Sequence, residues 1–139
     1  DRLTILTNSF PIASILMEKP RFTIIFIGGL VRNSERCVVG NYAESFVSQF
    51  HADLFFMSIS GISLSNGLTD YGVGEVQLKK KMLEYSHKII VLADSSKFNV
   101  VSLTPVCGLD KIDRIVTDPG IAPDVLAQYR EAGIVIDCG

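Results

Sequence analysis

A chain of 139 residues is long enough to bury about two-thirds of the surface that its unfolded form exposes, so it needs no disulfide or metal to hold a core. The formal net charge of -2, from 13 basic and 15 acidic residues, gives no broad positive surface for nucleic acid. No apolar run approaches the roughly 20 residues of a membrane span, so we expect one domain that contacts neither DNA nor a membrane.

The cysteines point to a reducing compartment. Cys37, Cys107 and Cys138 are odd in number, widely spaced and without a CxxC pair. This arrangement argues against a disulfide framework and against a zinc site. We predict a cytoplasmic protein with no metal site and no cofactor.

Strand-like and helix-like segments alternate along the chain. The predicted strands span residues 3–6, 22–27, 54–59, 88–93, 114–116 and 134–136, and the predicted helices span residues 11–18, 42–50, 74–85 and 123–132. The strands are continuous runs rich in Ile, Val and Phe, which is typical of strands buried on both faces. The pattern predicts an α/β fold: an open, mostly parallel sheet with helices on both faces and no domain boundary inside the chain.

Local signals support two of the helices. Ser9 is placed to cap the first helix, with Pro11 close behind it, and Pro123 and Gly133 bracket the last helix. The segment 98–111 has the weakest signals for secondary structure. Residues 103–106 form a candidate extra strand, which Pro105 would confine to a sheet edge.

Small polar residues and glycines follow four predicted strands. They are Thr7-Asn8-Ser9, Gly28-Gly29, Ser60-Gly61 and Asp94-Ser95-Ser96-Lys97. Ligands of open parallel sheets bind outside the carboxyl ends of the strands, where loops and helix N-termini present N–H groups. These four segments therefore predict the rim of one small-molecule pocket, in which Lys97 supplies a positive charge suited to phosphate.

Each segment also has a purely structural interpretation. Asn8 and Ser9 fit a helix cap, the double glycine fits a turn, and the segment 94–97 fits an Asx-type turn with a solvated lysine. Glu75 and Lys79 have the i,i+4 spacing of a surface salt bridge. His51 and His87 lie beside helix ends, where we expect surface histidines.

Seven motifs carry a resemblance to a known family. The motifs, in order, are "LTILTNSFPIASIL", "IIFIGGLVR", "VVGNYAE", "ADLFFMSISGIS", "NGLTDYGVGEVQLKKKML", "VLADSSKF" and "IDRIVTD". Together they resemble the C-terminal effector-binding domain of DeoR-type bacterial transcriptional repressors, over nearly the whole chain. The resemblance implies a fold similar to ribose-5-phosphate isomerase and glucosamine-6-phosphate deaminase. It also implies a sensor of a phosphorylated sugar or related metabolite that forms homo-oligomers.

The resemblance also implies parts that this chain lacks. Such domains are usually preceded by a winged helix-turn-helix, and they begin with another strand that ends in a Gly-Thr-Thr-like phosphate loop. We therefore expect residues 1–139 to be a single effector-binding domain, truncated at its N-terminus, that meets DNA only through an absent N-terminal domain. The loss of a central strand would leave an exposed edge open to pairing with another copy.

Three functions fit these residues. In the first, a sensor and not an enzyme, Asn8, Ser9, Gly29, Gly61 and Lys97 line the site, Glu75 and Lys79 face the ligand, and Arg32 is a second phosphate contact. The alternative is a sugar-phosphate isomerase or deaminase with Glu75 as base. Residues 54–69, where the isomerase relatives carry catalytic aspartates, contain no Asp, Glu, His or Lys, so no catalytic residue is assigned. The third is a dimerisation domain without ligand.

One segment suggests how a ligand signal would be transmitted. Gly67, Gly72 and Gly74 make the stretch before the long helix permissive in backbone conformation. We expect residues 66–79 to form a flexible loop that closes on an effector.

Overall fold

A computed structural model describes residues Arg2–Gly139. It has the predicted α/β class, with a four-stranded parallel sheet and four helices. The chain divides into two compact units, Asp1–Phe50 and His51–Gly139, which are described separately below. Within residues 2–139, no helix is both long and apolar enough to cross a bilayer.

The first unit contains a parallel strand pair and a hairpin. Strand β1 (Leu3–Thr7) leads through helix α1 (Phe10–Met17) to strand β2 (Phe22–Phe26), which pairs with β1 in parallel. Strands β3 (Leu30–Arg32) and β4 (Cys37–Val39) pair antiparallel, and helix α2 (Asn41–Val47) follows. Strand β4 is buried along its whole length, so it forms the centre of this unit.

The second unit is built on a parallel sheet with strand order β11-β10-β8-β5. Its strands are β5 (Ala52–Ser58), β8 (Ser86–Leu92), β10 (Arg114–Val116) and β11 (Ile136–Asp137). Helix α3 (Val73–Glu84) connects to β8, and helix α4 (Pro123–Glu131) connects β10 to β11. The buried core includes Met57, Val76, Val91, Ile115 and Tyr129.

Strand β5 ends this sheet on one side. Its side chains alternate: Met57 is buried in the core, whereas Leu54 and Phe56 are 40% and 57% exposed. The last strand of the sheet therefore carries large apolar side chains in solvent.

A three-stranded antiparallel sheet with order β6-β7-β9 completes the second unit. It comprises β6 (Gly61–Ser63), β7 (Gly67–Asp70) and β9 (Thr104–Cys107). The candidate extra strand is thus confirmed as β9, and Pro105 lies on an edge strand because it has no N–H for a second neighbour. Single turns of 3-10 helix span Ser95–Lys97 and Leu109–Lys111.

All six predicted strands and all four predicted helices are present, with ends that differ by a few residues. Two hairpins, β3–β4 and β6–β7, were not predicted, because strands of three or four residues are too short to show a periodic pattern. The expectation that residues 66–79 form one loop was wrong, and their mobility without a ligand stays a prediction. Residues 67–70 are the fully buried strand β7, and α3 begins at Val73.

Candidate functional site

The eight predicted site residues divide equally between the two units. Asn8, Ser9, Gly29 and Arg32 belong to the first, whereas Gly61, Glu75, Lys79 and Lys97 belong to the second. Each group is therefore considered within its own unit.

In the first unit, Asn8 and Ser9 hold strand β4 and the start of α1. The Asn8 side-chain amide donates to the main-chain oxygen of Val38 at 2.9 Å, and the Val38 N–H donates to the main-chain oxygen of Asn8 at 2.9 Å. The backbone of Ser9 forms an isolated antiparallel β-bridge with Cys37, and the Ser9 hydroxyl accepts a hydrogen bond from the N–H of Ile12 at 3.4 Å. The predicted capping role of Ser9 is confirmed.

Gly29 is required by its surroundings. Its φ of +154° is unfavourable for other residues, and a Cβ would come within 2.8 Å of the Val38 side chain and 2.9 Å of the Val39 oxygen. Arg32 is half-buried on β3, opposite Cys37. Asn8, Ser9 and Gly29 therefore meet at β4, through contacts that also account for them structurally.

In the second unit, Lys79 is tied to the carboxyl end of the parallel sheet. Its ammonium donates to the main-chain oxygen of Ser58, the last residue of β5, at 2.8 Å. It also forms an ion pair with Asp70, in which the side chains of Lys79 and Asp70 are only 17% and 12% exposed. The surface salt bridge expected from the spacing of Glu75 and Lys79 is thus replaced, for Lys79, by a mostly buried pair with Asp70.

Asp70 is a candidate site residue that the sequence did not reveal. Its Oδ1 accepts from the Ser60 hydroxyl at 2.6 Å and from the Tyr71 N–H at 2.8 Å. Burial alone would raise the pKa of Asp70, but hydrogen bonds from Lys79 and Ser60, and the charge of Lys79, hold this pKa below its usual range.

Asp70 lies one residue beyond the acid-free stretch 54–69. The only signal that could have found it is a charged residue closing a short apolar run, "GLTD". Its partner Lys79 stands nine positions later, which is not a local helical spacing.

Glu75 is the third residue of α3, and its carboxylate lies over Gly72, the N-cap residue, where a Cβ would clash with it. A carboxylate in the first turn of a helix is favoured by the helix dipole and by the exposed N–H groups. This placement near the helix N-terminus accounts for Glu75 structurally, and its ligand contact stays a prediction.

Lys97 ends the 3-10 turn that follows β8. Asp94 Oδ1 accepts from the Ser96 N–H at 2.9 Å, so the predicted Asx-type turn is confirmed. The Lys97 side chain is half-buried. Within the described part of the chain, its ammonium makes no hydrogen bond or ion pair.

Gly61 is also required by packing, since a Cβ would lie 2.5 Å from the Val100 oxygen and 2.6 Å from Thr69 Oγ1. Lys79 and Lys97 belong to neighbouring strand ends, because Ser58 of β5 pairs in register with Leu92 of β8. The second unit therefore has two lysines near the carboxyl end of its parallel sheet. Lys79 is paired with Asp70, whereas Lys97 makes no hydrogen bond or ion pair within residues 2–139.

Two clefts of this unit lie at the opposite edge of the sheet, at the starts of the parallel strands. One, of about 430 Å³, is lined by residues preceding β10 and β11, including Asp110 and Asp113. The other, of about 300 Å³, is lined by residues at the starts of β5 and β8, including His51 and His87. Neither contains a predicted site residue. Neither cleft is lined by a lysine, so Lys97 makes the carboxyl edge the better candidate for binding an anion.

No group of three or more His, Cys, Asp or Glu side chains suited to a metal ion occurs among residues 2–139.

Comparison with known proteins identifies a family. The profile described as DeoR C terminal sensor domain matches residues 1–119. The chain is 33% identical over 131 residues to a putative aga operon transcriptional repressor of Escherichia coli O157:H7, covering 94% of this chain and 49% of that protein. It is 30% identical over 135 residues to the HTH-type transcriptional regulator GolR of Listeria innocua, covering 97% and 53%.

A third relative is the glycerol-3-phosphate regulon repressor of Escherichia coli K12, which is 32% identical over 116 residues, covering 84% of this chain and 46% of that protein. The chain thus spans about half the length of these curated relatives.

Proposed function

Because the chain belongs to the family of DeoR C terminal sensor domains, we propose that it senses a phosphorylated sugar or related metabolite and thereby controls a transcriptional repressor. The proposal places a binding site, and not a catalytic one, at the carboxyl edge of the parallel sheet. The name of one relative, the glycerol-3-phosphate regulon repressor, supports a phosphorylated effector.

The observation that supports this site most is the half-buried side chain of Lys97, in the 3-10 turn that follows β8. The Lys97 ammonium makes no hydrogen bond or ion pair in the described part of the chain. An ammonium that donates no hydrogen bond to the protein can donate to a dianionic phosphate, and charge-assisted hydrogen bonds are about twice as strong as neutral ones. Lys97 is therefore assigned the phosphate group.

Lys79 has a different part in the proposal. Its charge is balanced by Asp70 and its position is fixed by the Ser58 oxygen, so it is not available to neutralise a dianion. Lys79 and Glu75 are assigned the hydroxyl groups of the ligand. Gly61 allows the Val100 backbone and the Thr69 side chain to approach closely, and its own ligand contact stays a prediction. Within the first unit, Asn8, Ser9, Gly29 and Arg32 stay predicted ligand contacts.

The proposed repressor function also requires contact with DNA. We propose that a DNA-binding domain outside residues 1–139 contacts the operator, that the whole protein is a cytoplasmic homo-oligomer, and that the sensor domain reports the effector to it. The chain itself, with a net charge of -2, offers no footprint for DNA.

An enzymatic function is the alternative. A sugar-phosphate isomerase or deaminase would use Glu75 as base, and Asp70 adds a carboxyl group that the sequence stretch 54–69 lacks. Asp70 is held as a carboxylate by Lys79 and Ser60, which suits a fixed ligand-binding group better than a group that donates and regains protons.

The test is a panel of triose, pentose and hexose phosphates, each with its unphosphorylated sugar, added to the full-length protein. Calorimetry and thermal unfolding measure binding. A ligand at 100 times its Kd stabilises the fold by about 2.7 kcal/mol. We expect at least one phosphate ester to bind and its unphosphorylated sugar to fail.

The same mixtures are followed by proton NMR for several hours. Conversion of a sugar phosphate into another compound would contradict the sensor function and support the isomerase or deaminase function. Absence of any binding across the panel would contradict both and favour a ligand-free dimerisation domain.

A further inference from the structure

The turn that carries Lys97 is fixed at its start by a residue after β10. Asp118 Oδ2 accepts from the Ser95 N–H at 2.7 Å, and Asp118 Oδ1 accepts from the Gly120 N–H at 2.8 Å. The first residue of the turn is thereby tied to the loop before α4. This tie does not fix the residues that follow Lys97.

The two residues after Lys97 are held by one side chain of α4. Tyr129 is completely buried, and its ring packs edge-on against Phe98, with the ring centroids 5.0 Å apart. Its hydroxyl donates to Asn99 Oδ1 at 2.8 Å, with the Ile62 oxygen farther away at 3.2 Å. A single tyrosine therefore contacts both positions that set the direction of the backbone leaving Lys97.

Asn99 has a backbone conformation that requires such support. Its φ is +61°, in the left-handed region, which costs a non-glycine residue free energy. Asparagine tolerates this conformation better than most residues, and the hydrogen bond from Tyr129 fixes its side chain there. The reversal at Asn99 brings the next residues back to β7, where the Ser102 N–H donates to Thr69 Oγ1 at 2.8 Å.

We infer that the Tyr129 hydroxyl, acting through Asn99, is the positioning group that holds Lys97 in place for an anionic ligand. The inference rests on the proposed function, in which Lys97 binds phosphate. Tyr129 itself does not reach the ligand, because its hydroxyl is occupied by Asn99 and its ring by the core. A tyrosine that served the core alone would need only its ring.

The first experiment needs no ligand. Trypsin cleaves after Lys97, so the rate of cleavage at the Lys97–Phe98 bond in full-length protein reports how firmly the turn is held. Tyr129→Phe keeps the ring and removes the hydroxyl. Asn99→Gly keeps the backbone conformation accessible and removes the acceptor. We expect each variant, and the double variant equally, to be cut after Lys97 about tenfold faster.

Two controls isolate the local effect. Cleavage after Lys88, within β8, reports global unfolding and should change little. Tyr42→Phe, at a tyrosine that is 79% exposed, is the matched substitution and should leave cleavage after Lys97 unchanged. Unaltered cleavage after Lys97 in both Tyr129→Phe and Asn99→Gly overturns the inference.

The second experiment uses inorganic phosphate and ribose 5-phosphate as probes, titrated by calorimetry. Loss of one hydrogen bond of this kind should weaken probe binding about fivefold in both variants. If the wild-type protein binds a probe and the variants bind it equally well, Tyr129 is only a core residue and the inference fails. If the wild-type protein binds neither these probes nor the wider panel, the proposed function fails, and the cleavage rates alone decide whether Tyr129 holds the turn.

Discussion

The ammonium of Lys79 and the carboxylate of Asp70 form an ion pair from which most water is excluded. It connects helix α3 to the end of strand β7, and a second hydrogen bond from Lys79 adds the end of β5. Breaking a pair of this kind from one side costs more than removing it entirely, since the remaining charge stays buried.

We therefore predict that Asp70→Asn lowers the free energy of unfolding by about 3 kcal/mol. Asp70→Asn combined with Lys79→Met should be more stable than the single Asp70→Asn variant, because the double variant leaves no unpaired charge. Urea unfolding of the four proteins gives the coupling energy. Asp137→Asn is the control: its partner Arg114 and Asp137 itself are about half exposed, and the loss should be below about 1 kcal/mol. Additive effects at Asp70 and Lys79 would contradict the prediction.

The same pair predicts a dependence of stability on pH. The pKa of Asp70 is lowered in the folded state, so its contribution to stability is complete above the unfolded value of about 3.9 and is lost as pH falls through the folded pKa. The difference in unfolding free energy between wild type and Asp70→Asn should stay constant from about pH 7 to 5 and shrink below about pH 4. Urea titrations at several pH values measure it, and a difference that grows on acidification would refute this assignment.

Lys97 and Lys111 offer a matched comparison of two lysines. Each is the last residue of a 3-10 turn, but Lys97 follows β8 at the carboxyl edge of the sheet, whereas Lys111 precedes β10 at the opposite edge. Lys97→Ala should weaken binding of a phosphate ester by about 1.5 to 3 kcal/mol and leave the unfolding free energy within about 0.5 kcal/mol. Lys111→Ala should change neither quantity. Equal affinities of all three proteins in calorimetry would mean that Lys97 is a solvated turn residue.

Two glycines with different surroundings test the packing around the site. Gly61→Ala would place a methyl group 2.5 Å from the Val100 oxygen, so we predict a loss of about 2 to 3 kcal/mol in unfolding free energy. Gly28→Ala meets nothing within 4 Å and should be neutral to within about 0.5 kcal/mol. Thermal and urea unfolding measure both variants, and a neutral Gly61→Ala would show that the Val100 backbone yields at little cost.

Cys107 should be unreactive in the folded protein. Burial raises the pKa of its thiol to about 11, and the nearby charge of Asp110 adds to this effect. The thiolate fraction at pH 8 is then about one in a thousand. Alkylation with iodoacetamide, followed by peptide mass spectrometry, should modify Cys107 slowly in the native state and rapidly in urea. Fast modification at pH 8 in the native protein would disprove the shift.

The limits of sequence reasoning follow from the range of the contacts involved. Long apolar runs such as residues 54–59 and 88–93 identified the parallel strands by their content of β-branched and aromatic residues. Burial on both faces was not confirmed for β5, where Leu54 and Phe56 are exposed. The hairpin β6–β7 left no comparable local signature, because its strands are only three and four residues long. The Asp70–Lys79 pair could not be predicted either, because it depends on how β7 and α3 fold against each other.

The candidate site likewise combines features that the sequence reveals with contacts that only the structure reveals. Residue types suited to phosphate were visible at the strand ends. That Gly29 faces Val38 and that Gly61 faces Val100 became visible only in three dimensions. The same residue types satisfy both packing and binding, so composition cannot separate the two roles.

The parallel sheet of the second unit also sets the order in which this unit folds. Strand β5 meets β8 only after the whole of β6, β7 and α3 has been traversed, whereas β6 and β7 are joined by a short turn. Hairpins form in about 1 to 10 μs, but non-local parallel pairing must first overcome the entropy of closing a long loop. The hairpin that ends at Asp70 should therefore form early, and the carboxyl edge of the parallel sheet should be among the last parts to assemble.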